Sequence, residues 1–163
     1  MLSEGECMNA IELLKEDHKE ALNLIKKLEA SDARQGTDQT HTQDFNHLKE
    51  VLKLHSKIEE EFLYPIMEEI EEMFRLVDEA YWEHRQIDEL LAQLSAKGPN
   101  QKEFQELLAE LRSSLEYHIN KEEEELFPEV EENMGQLELN DVAERILEMK
   151  REGQSSAAAV RRR

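Results

Sequence analysis

Two stretches, "HSKIEEEFLYP" from His55 to Pro65 and "HINKEEEELFP" from His118 to Pro128, repeat one frame: a histidine, a glutamate four residues on, further acids, an aromatic residue, and a proline ten residues on. On a helix, residues four apart face the same way, with Cβ atoms about 5–6 Å apart. His55 with Glu59, and His118 with Glu122, therefore each offer a nitrogen and an oxygen to one point. The closing proline removes a backbone donor and clashes with the preceding turn, so each stretch reads as the end of a helix or a bend in it.

Apolar periodicity places helices around these stretches. A first runs from Asn9, capped in the pattern Asn9, Glu12, to about Ser31, with Ile11, Leu14, His18, Ala21, Leu22, Ile25 and Leu28 on one face. After the polar connection "SDARQGTDQT", a second starts near Gln43 and carries Leu48, Val51, Leu52, His55, Phe62 and Ile66 inward, with Pro65 bending it or ending it near Glu69. A third, from about Phe74 to Lys97, aligns Val77, Ala80, Tyr81, His84, Ile87, Leu91 and Leu94. The pair Asn100, Glu103 caps a fourth with Phe104, Leu107, Leu108, Leu111, Leu115, His118 and Leu126 inside. A shorter fifth, Asn140 to about Glu152, has Val142, Ile146, Leu147 and Met149 as its buried side and lies across the bundle. Residues 1–8 read as an extension and 153–163, ending in "RRR", as a flexible tail.

Length and composition agree with this pattern. The 163 residues hold only 5 Gly and 3 Pro, with 36% charged residues, which suits long charged-surface helices and one domain. Four long amphipathic helices with mostly short connections give an all-α, antiparallel up-down-up-down four-helix bundle, built as two related hairpins with a short extra C-terminal helix.

Composition also excludes classes of function. A formal net charge of -19 opposes a nucleic-acid partner. Cys7 is the single cysteine, which rules out an internal disulfide and thiolate-rich zinc or iron-sulfur sites. No stretch reaches the length of a membrane span, and "MLSEGEC" lacks the regions of a signal peptide, so the expected location is cytoplasmic.

Each of the four long helices carries one inward histidine: His18, His55, His84 and His118. A lone histidine on an apolar stripe is usually a hydrogen-bonded core residue. Four of them with two carboxylates at one offset are different, because burying such groups without partners costs several kcal/mol each. A shared cation satisfies all six. Imidazole with carboxylate suits iron, zinc or manganese, and two ions bridged by Glu59 and Glu122 would give each four protein donors, one holding His18 and His55, the other His84 and His118. Two iron ions are the first expectation, with room for an oxo or hydroxo bridge and a small ligand; manganese and zinc rank below. The ferritin-like alternative needs Glu-x-x-His, and none of these histidines has a glutamate three residues before it.

The remaining polar residues are assigned elsewhere. His41 and His47 read as surface residues, Glu60, Glu61, Glu124 and Glu125 as solvated faces, and Tyr81 as core. Tyr64 and Trp82 stand elsewhere on these helices. Glu123 replaces Glu122 only if its helix is locally wound wider. Asp88 reads equally as a ligand or as a hydrogen-bond partner of one.

The set His18, His55 with Glu59, His84, His118 with Glu122, spread from about Asn9 to Glu132, resembles the hemerythrin-like, or HHE cation-binding, family. The resemblance implies a non-haem di-iron centre that meets dioxygen or a close relative. Oxygen carriers of that family have a second histidine four residues after the third-helix histidine, where this chain has Asp88, and place the last bridging carboxylate where it has Glu123. Fewer neutral nitrogen donors leave a vacancy, and an anionic donor favours the ferric state. The expectation is redox chemistry on a small oxidant, with decomposition of H2O2 or reduction of O2 before reversible O2 or NO binding, and sensing of oxygen or iron ranked lower.

Overall fold

The computed structural model describes residues 8–31, 38–98 and 102–161, which are helical apart from short connections and contain no strand. Helix α1 spans Ala10–Ala30, α2 Asp38–Ile58, α3 Phe74–Ser95, α4 Lys102–Lys121 and α5 Gln136–Arg161. The expected capping box opens α1, with the Glu12 amide donating to Asn9 Oδ1 at 3.0 Å and the Asn9 amide to Glu12 Oε2 at 2.8 Å. Asn100, expected to cap α4, lies outside the described residues.

Side-chain pairs show that neighbouring helices run antiparallel. Glu20 meets His47 while Asp17 meets His55; Glu79 meets Lys121 while Glu83 meets His118; Arg112 meets Glu29 while His18 meets Glu122. Helices α1 and α2 form one hairpin, α3 and α4 the other, and α5 lies on α1 and α2. The apolar core divides in two. Ala21 to Leu28, Phe45 to Leu52, Ile87 to Leu94 and Phe104 to Ile119 build one end, and Ala10 to Leu14 with residues of 58–80 and 126–146 build the other. The four histidines form a polar layer between them.

The repeated stretches share a local device. Beyond α2, Glu59–Leu63 is a π turn, and beyond α4, Glu122–Leu126 is another. The Tyr64 amide bonds to the Glu59 carbonyl and the Phe127 amide to that of Glu122, five residues back instead of four. The wider winding turns residue i+5 to the face that i+4 would occupy. Ordinary α-helix resumes at Tyr64 and at Phe127, so Pro65 and Pro128 sit in a first turn, where a missing donor costs little. The segment Tyr64–Met67 then stops close to the expected end, but the slipped register leaves Ile66, expected inside, exposed.

Three further expectations are corrected. Helix α2 begins at Asp38, before Gln43, because His41 and Phe45 pack on Phe104 with ring centroids 5.1 and 5.7 Å away. His41 is accordingly buried, not a surface residue. Helix α5 is not short: it starts at Gln136 and continues to Arg161, so most of the stretch expected as a tail is helical. Apart from Gly153, its sequence there is compatible with helix, and its alanines favour it.

The side of α5 that faces the bundle buries Leu139, Ala143 and Ile146, while Leu147, expected beside Ile146, is exposed. Ile146→Ala is expected to cost about 2–5 kcal/mol, the usual range for a fully buried aliphatic truncation. Urea unfolding followed by circular dichroism checks it; a loss below about 0.5 kcal/mol would mean that Ile146 adds no more than a surface residue.

Candidate metal centre

His18, His55, His84 and His118 meet in the polar layer, each at most 3% exposed. Nε2 of His18 faces Nε2 of His55 at 3.1 Å, and Nε2 of His84 faces that of His118 at 3.2 Å. The two glutamates span these pairs. Glu59 sets Oε1 3.2 Å from His55 and Oε2 3.2 Å from His84. Glu122 sets Oε1 3.3 Å from His118 and Oε2 3.2 Å from His18. Each carboxylate thus gives one oxygen to each histidine pair.

All four Nδ1 atoms face carboxylates: His18 that of Glu123 at 2.8 Å, His84 that of Glu60 at 2.8 Å, His118 that of Glu83 at 2.6 Å and His55 that of Asp17 at 3.4 Å. An ionised carboxylate only accepts, so Nδ1 is the donor and carries the proton. Nε2 of each neutral imidazole is then a lone pair aimed at another lone pair. That arrangement needs a positive charge between the nitrogens, either a proton or a metal ion.

The acid–base balance is consistent with this need. Burial pulls the His55 imidazole down, yet the Glu59 carboxylate, and after it those of Asp17 and Glu122, hold it well above its ordinary 6.5. His84 is raised in the same way, against burial, by Glu59, Glu122 and Glu60. Burial pushes the Glu122 carboxyl up, but His118, His18 and His55 hold it well below its ordinary 4.5. Glu59 is also lowered, with burial and the Glu122 charge working against His55 and His84.

A hydroxyl completes the layer. Tyr64 Oη lies 2.6 Å from Glu122 Oε1, 3.1 Å from Glu59 Oε2 and 3.2 Å from His84 Nε2. Burial and then the charges of Glu122 and Glu59 push its ionisation well above the usual phenol value, so it remains a proton donor.

The donors divide into two groups, His18, His55, Glu59, Glu122 and Glu59, His84, His118, Glu122, with ligand atoms in each within 4.8 Å of one another. Glu59 Oε1 is buried with no hydrogen-bond partner among the described residues. Nitrogen and oxygen donors without sulfur, sharing two carboxylates, fit a pair of iron, manganese or zinc ions.

Asp88 joins neither group: it is exposed and lines a surface cleft of about 250 Å³ with Lys53, Ser56, Lys57, Glu60 and Glu61. The π turn does widen the helix at Glu123, yet Glu122 keeps the inner place and Glu123 takes His18 Nδ1. Glu60, expected on a solvated face, is the corresponding partner of His84. Sequence reasoning missed Asp17, Glu83 and Tyr64. An acid immediately before the first histidine of each hairpin was the available signal for Asp17 and Glu83; Tyr64 was hidden by the π turn.

The chain matches the family model described as the hemerythrin HHE cation binding domain over residues 9–130. Its structure resembles the crystal structure of a hemerythrin HHE cation binding domain-containing protein from Mycobacterium kansasii, with a TM-score of 0.79, 24% identity, and coverage of 94% of this chain and 93% of that one. No curated protein matches the sequence. Among the described residues no helix is long and apolar enough to cross a membrane.

Proposed function

The chain belongs to the hemerythrin HHE cation-binding family, and from that membership we propose that it holds two iron ions and reacts with small oxidants, hydrogen peroxide or dioxygen first. One observation carries the reading: Glu59 and Glu122 each present one oxygen to one histidine pair and the other oxygen to the second pair. His18 and His55 would hold one ion and His84 and His118 the other. When bound, the ions supply Lewis acidity and redox exchange.

The chain's own residues do the rest. The four carboxylates at Nδ1 orient the imidazoles and strengthen Nε2 as a donor. Tyr64 holds a proton at Oη beside Glu59 and Glu122, where it can donate to a small oxidant. A narrow cleft lined by Leu76, Ala80, Glu83, Lys121, Glu122 and Leu126 has about 10 Å³ of free space, room for one water-sized molecule.

The test is metal content together with oxygen evolution. Two equivalents of iron per chain, with peroxide converted to dioxygen and water faster than by the same concentration of free iron, are expected. No turnover above free iron would defeat the chemical role and leave reversible O2 or NO binding, read from a spectrum that reverts under vacuum. Tyr64→Phe is expected to keep two equivalents of iron and slow turnover by about 10²-fold, the scale of a lost proton donor. Unchanged turnover would remove Tyr64 from the chemistry.

A further inference from the structure

The two hairpins are related by a near twofold in which His18 corresponds to His84 and His55 to His118. The partners of the first correspondence match, since Glu123 and Glu60 each lie 2.8 Å from Nδ1 and are both partly exposed. Those of the second do not: Asp17 stands 3.4 Å from His55, whereas Glu83 stands 2.6 Å from His118. Glu83 Oε1 is buried with no hydrogen-bond partner among the described residues. The corresponding oxygen of Asp17 is held by Lys150 of α5, an element with no counterpart in the other hairpin. Lys121 pairs with Glu79 and reaches Glu83 by charge without a bond to it, so the asymmetry of the centre is the ammonium bonded directly to Asp17.

A carboxylate on Nδ1–H makes the opposite nitrogen a stronger donor. When the same carboxylate is shared with an ammonium, less of its charge reaches the imidazole, and the ammonium itself repels a cation held nearby. Among the described residues, Asp17 is the one Nδ1 partner that also bonds an ammonium.

We propose that Lys150 is a positioning residue which, through Asp17 and His55, makes the metal position of His18 and His55 the weaker of the two and couples its occupancy to the docking of α5. This rests on the two-metal reading above. Coupling is reciprocal, so filling that position loosens the hold of Lys150 on Asp17 by the same factor. Helix α5 becomes the part of the chain that reports whether the second ion is present.

The experiment is a titration of the metal-free full chain with cobalt(II), whose visible bands follow each addition, against a competing chelator. The unaltered chain is expected to bind two equivalents in separate steps, and Lys150→Met to narrow the gap between them by about tenfold by strengthening the second, within the range that outer partners of metal ligands command. Lys150→Arg restores the gap. Two equivalents with the same gap in Lys150→Met would overturn the role of Lys150 alone, and would leave the shorter side chain of Asp17 as the source of the asymmetry. Fewer than two equivalents in the unaltered chain would overturn the two-metal reading and this inference with it. A readout without substitution is amide exchange around Lys150: faster exchange on adding the second equivalent, while the four-helix core slows, supports the coupling. Exchange that slows in α5 together with the core overturns it.

Discussion

Glu122→Gln is expected to empty the centre. Glu122 is 2% exposed and gives one oxygen to each histidine pair, so its loss removes a donor from both positions at once. Glutamine preserves size but carries no charge and does not bridge two cations as a carboxylate does. Metal affinity should fall by more than about 100-fold, beyond the cost of losing an outer hydrogen-bond partner. Iron content should drop from two equivalents to below one, and peroxide turnover to that of free iron. The metal-free fold should also weaken by about 3–5 kcal/mol, because His55 and His84, both raised in part by Glu122, lose a buried counter-charge. Glu125→Gln is the control, since Glu125 is exposed and its substitution should change neither quantity. Two equivalents of iron retained in Glu122→Gln would show that the carboxylate is not shared.

The second large effect is a change in the pH dependence of stability when metal is removed. In the metal-free protein His55 and His84 are held above their ordinary 6.5, so the folded state keeps protons that the unfolded chain releases. Their contribution to stability is complete below that value and is lost as pH rises through their folded values. Glu59 and Glu122 are held below their ordinary 4.5, so their contribution is complete above it and is lost as pH falls through their folded values. Metal-free protein should therefore be most stable between these two ordinary values and weaken above the imidazole one, by up to about 1.4 kcal/mol per pH unit for each retained proton. Bound metal takes the place of those protons, so only the unfolded chain can bind them: the loaded protein should gain stability as pH rises to the ordinary imidazole value and hold level above it, where the metal-free protein declines. Urea midpoints between about pH 5 and 9, with and without metal, measure both slopes. A metal-free protein equally stable across that range would mean that the buried imidazoles are neutral.

Much of this was legible because it repeats within single helices. His18, His55, His84 and His118 each sit on an apolar stripe, and a glutamate four residues after two of them shares their face whatever the partner helices do. Helix α5 was less legible, since its weakly amphipathic second half offers little contrast between faces. The early start of α2 was hidden because the Thr and Asp residues there favour a loop, and only packing of His41 and Phe45 on Phe104 outweighs that preference.

The all-helical class and the inward face of each of the six donors follow from the order of residues alone, because a period of 3.6 residues states which side chains share a face, and the spacing of those six residues carries the family resemblance. Folding in three dimensions settled the rest: which acid meets which Nδ1, that Tyr64 enters the layer while Asp88 stays outside, and that Lys150 reaches Asp17. Those contacts join residues on different helices, or follow a π turn that shifts the register by one residue. A pattern counted along one helix of constant pitch carries neither kind of information.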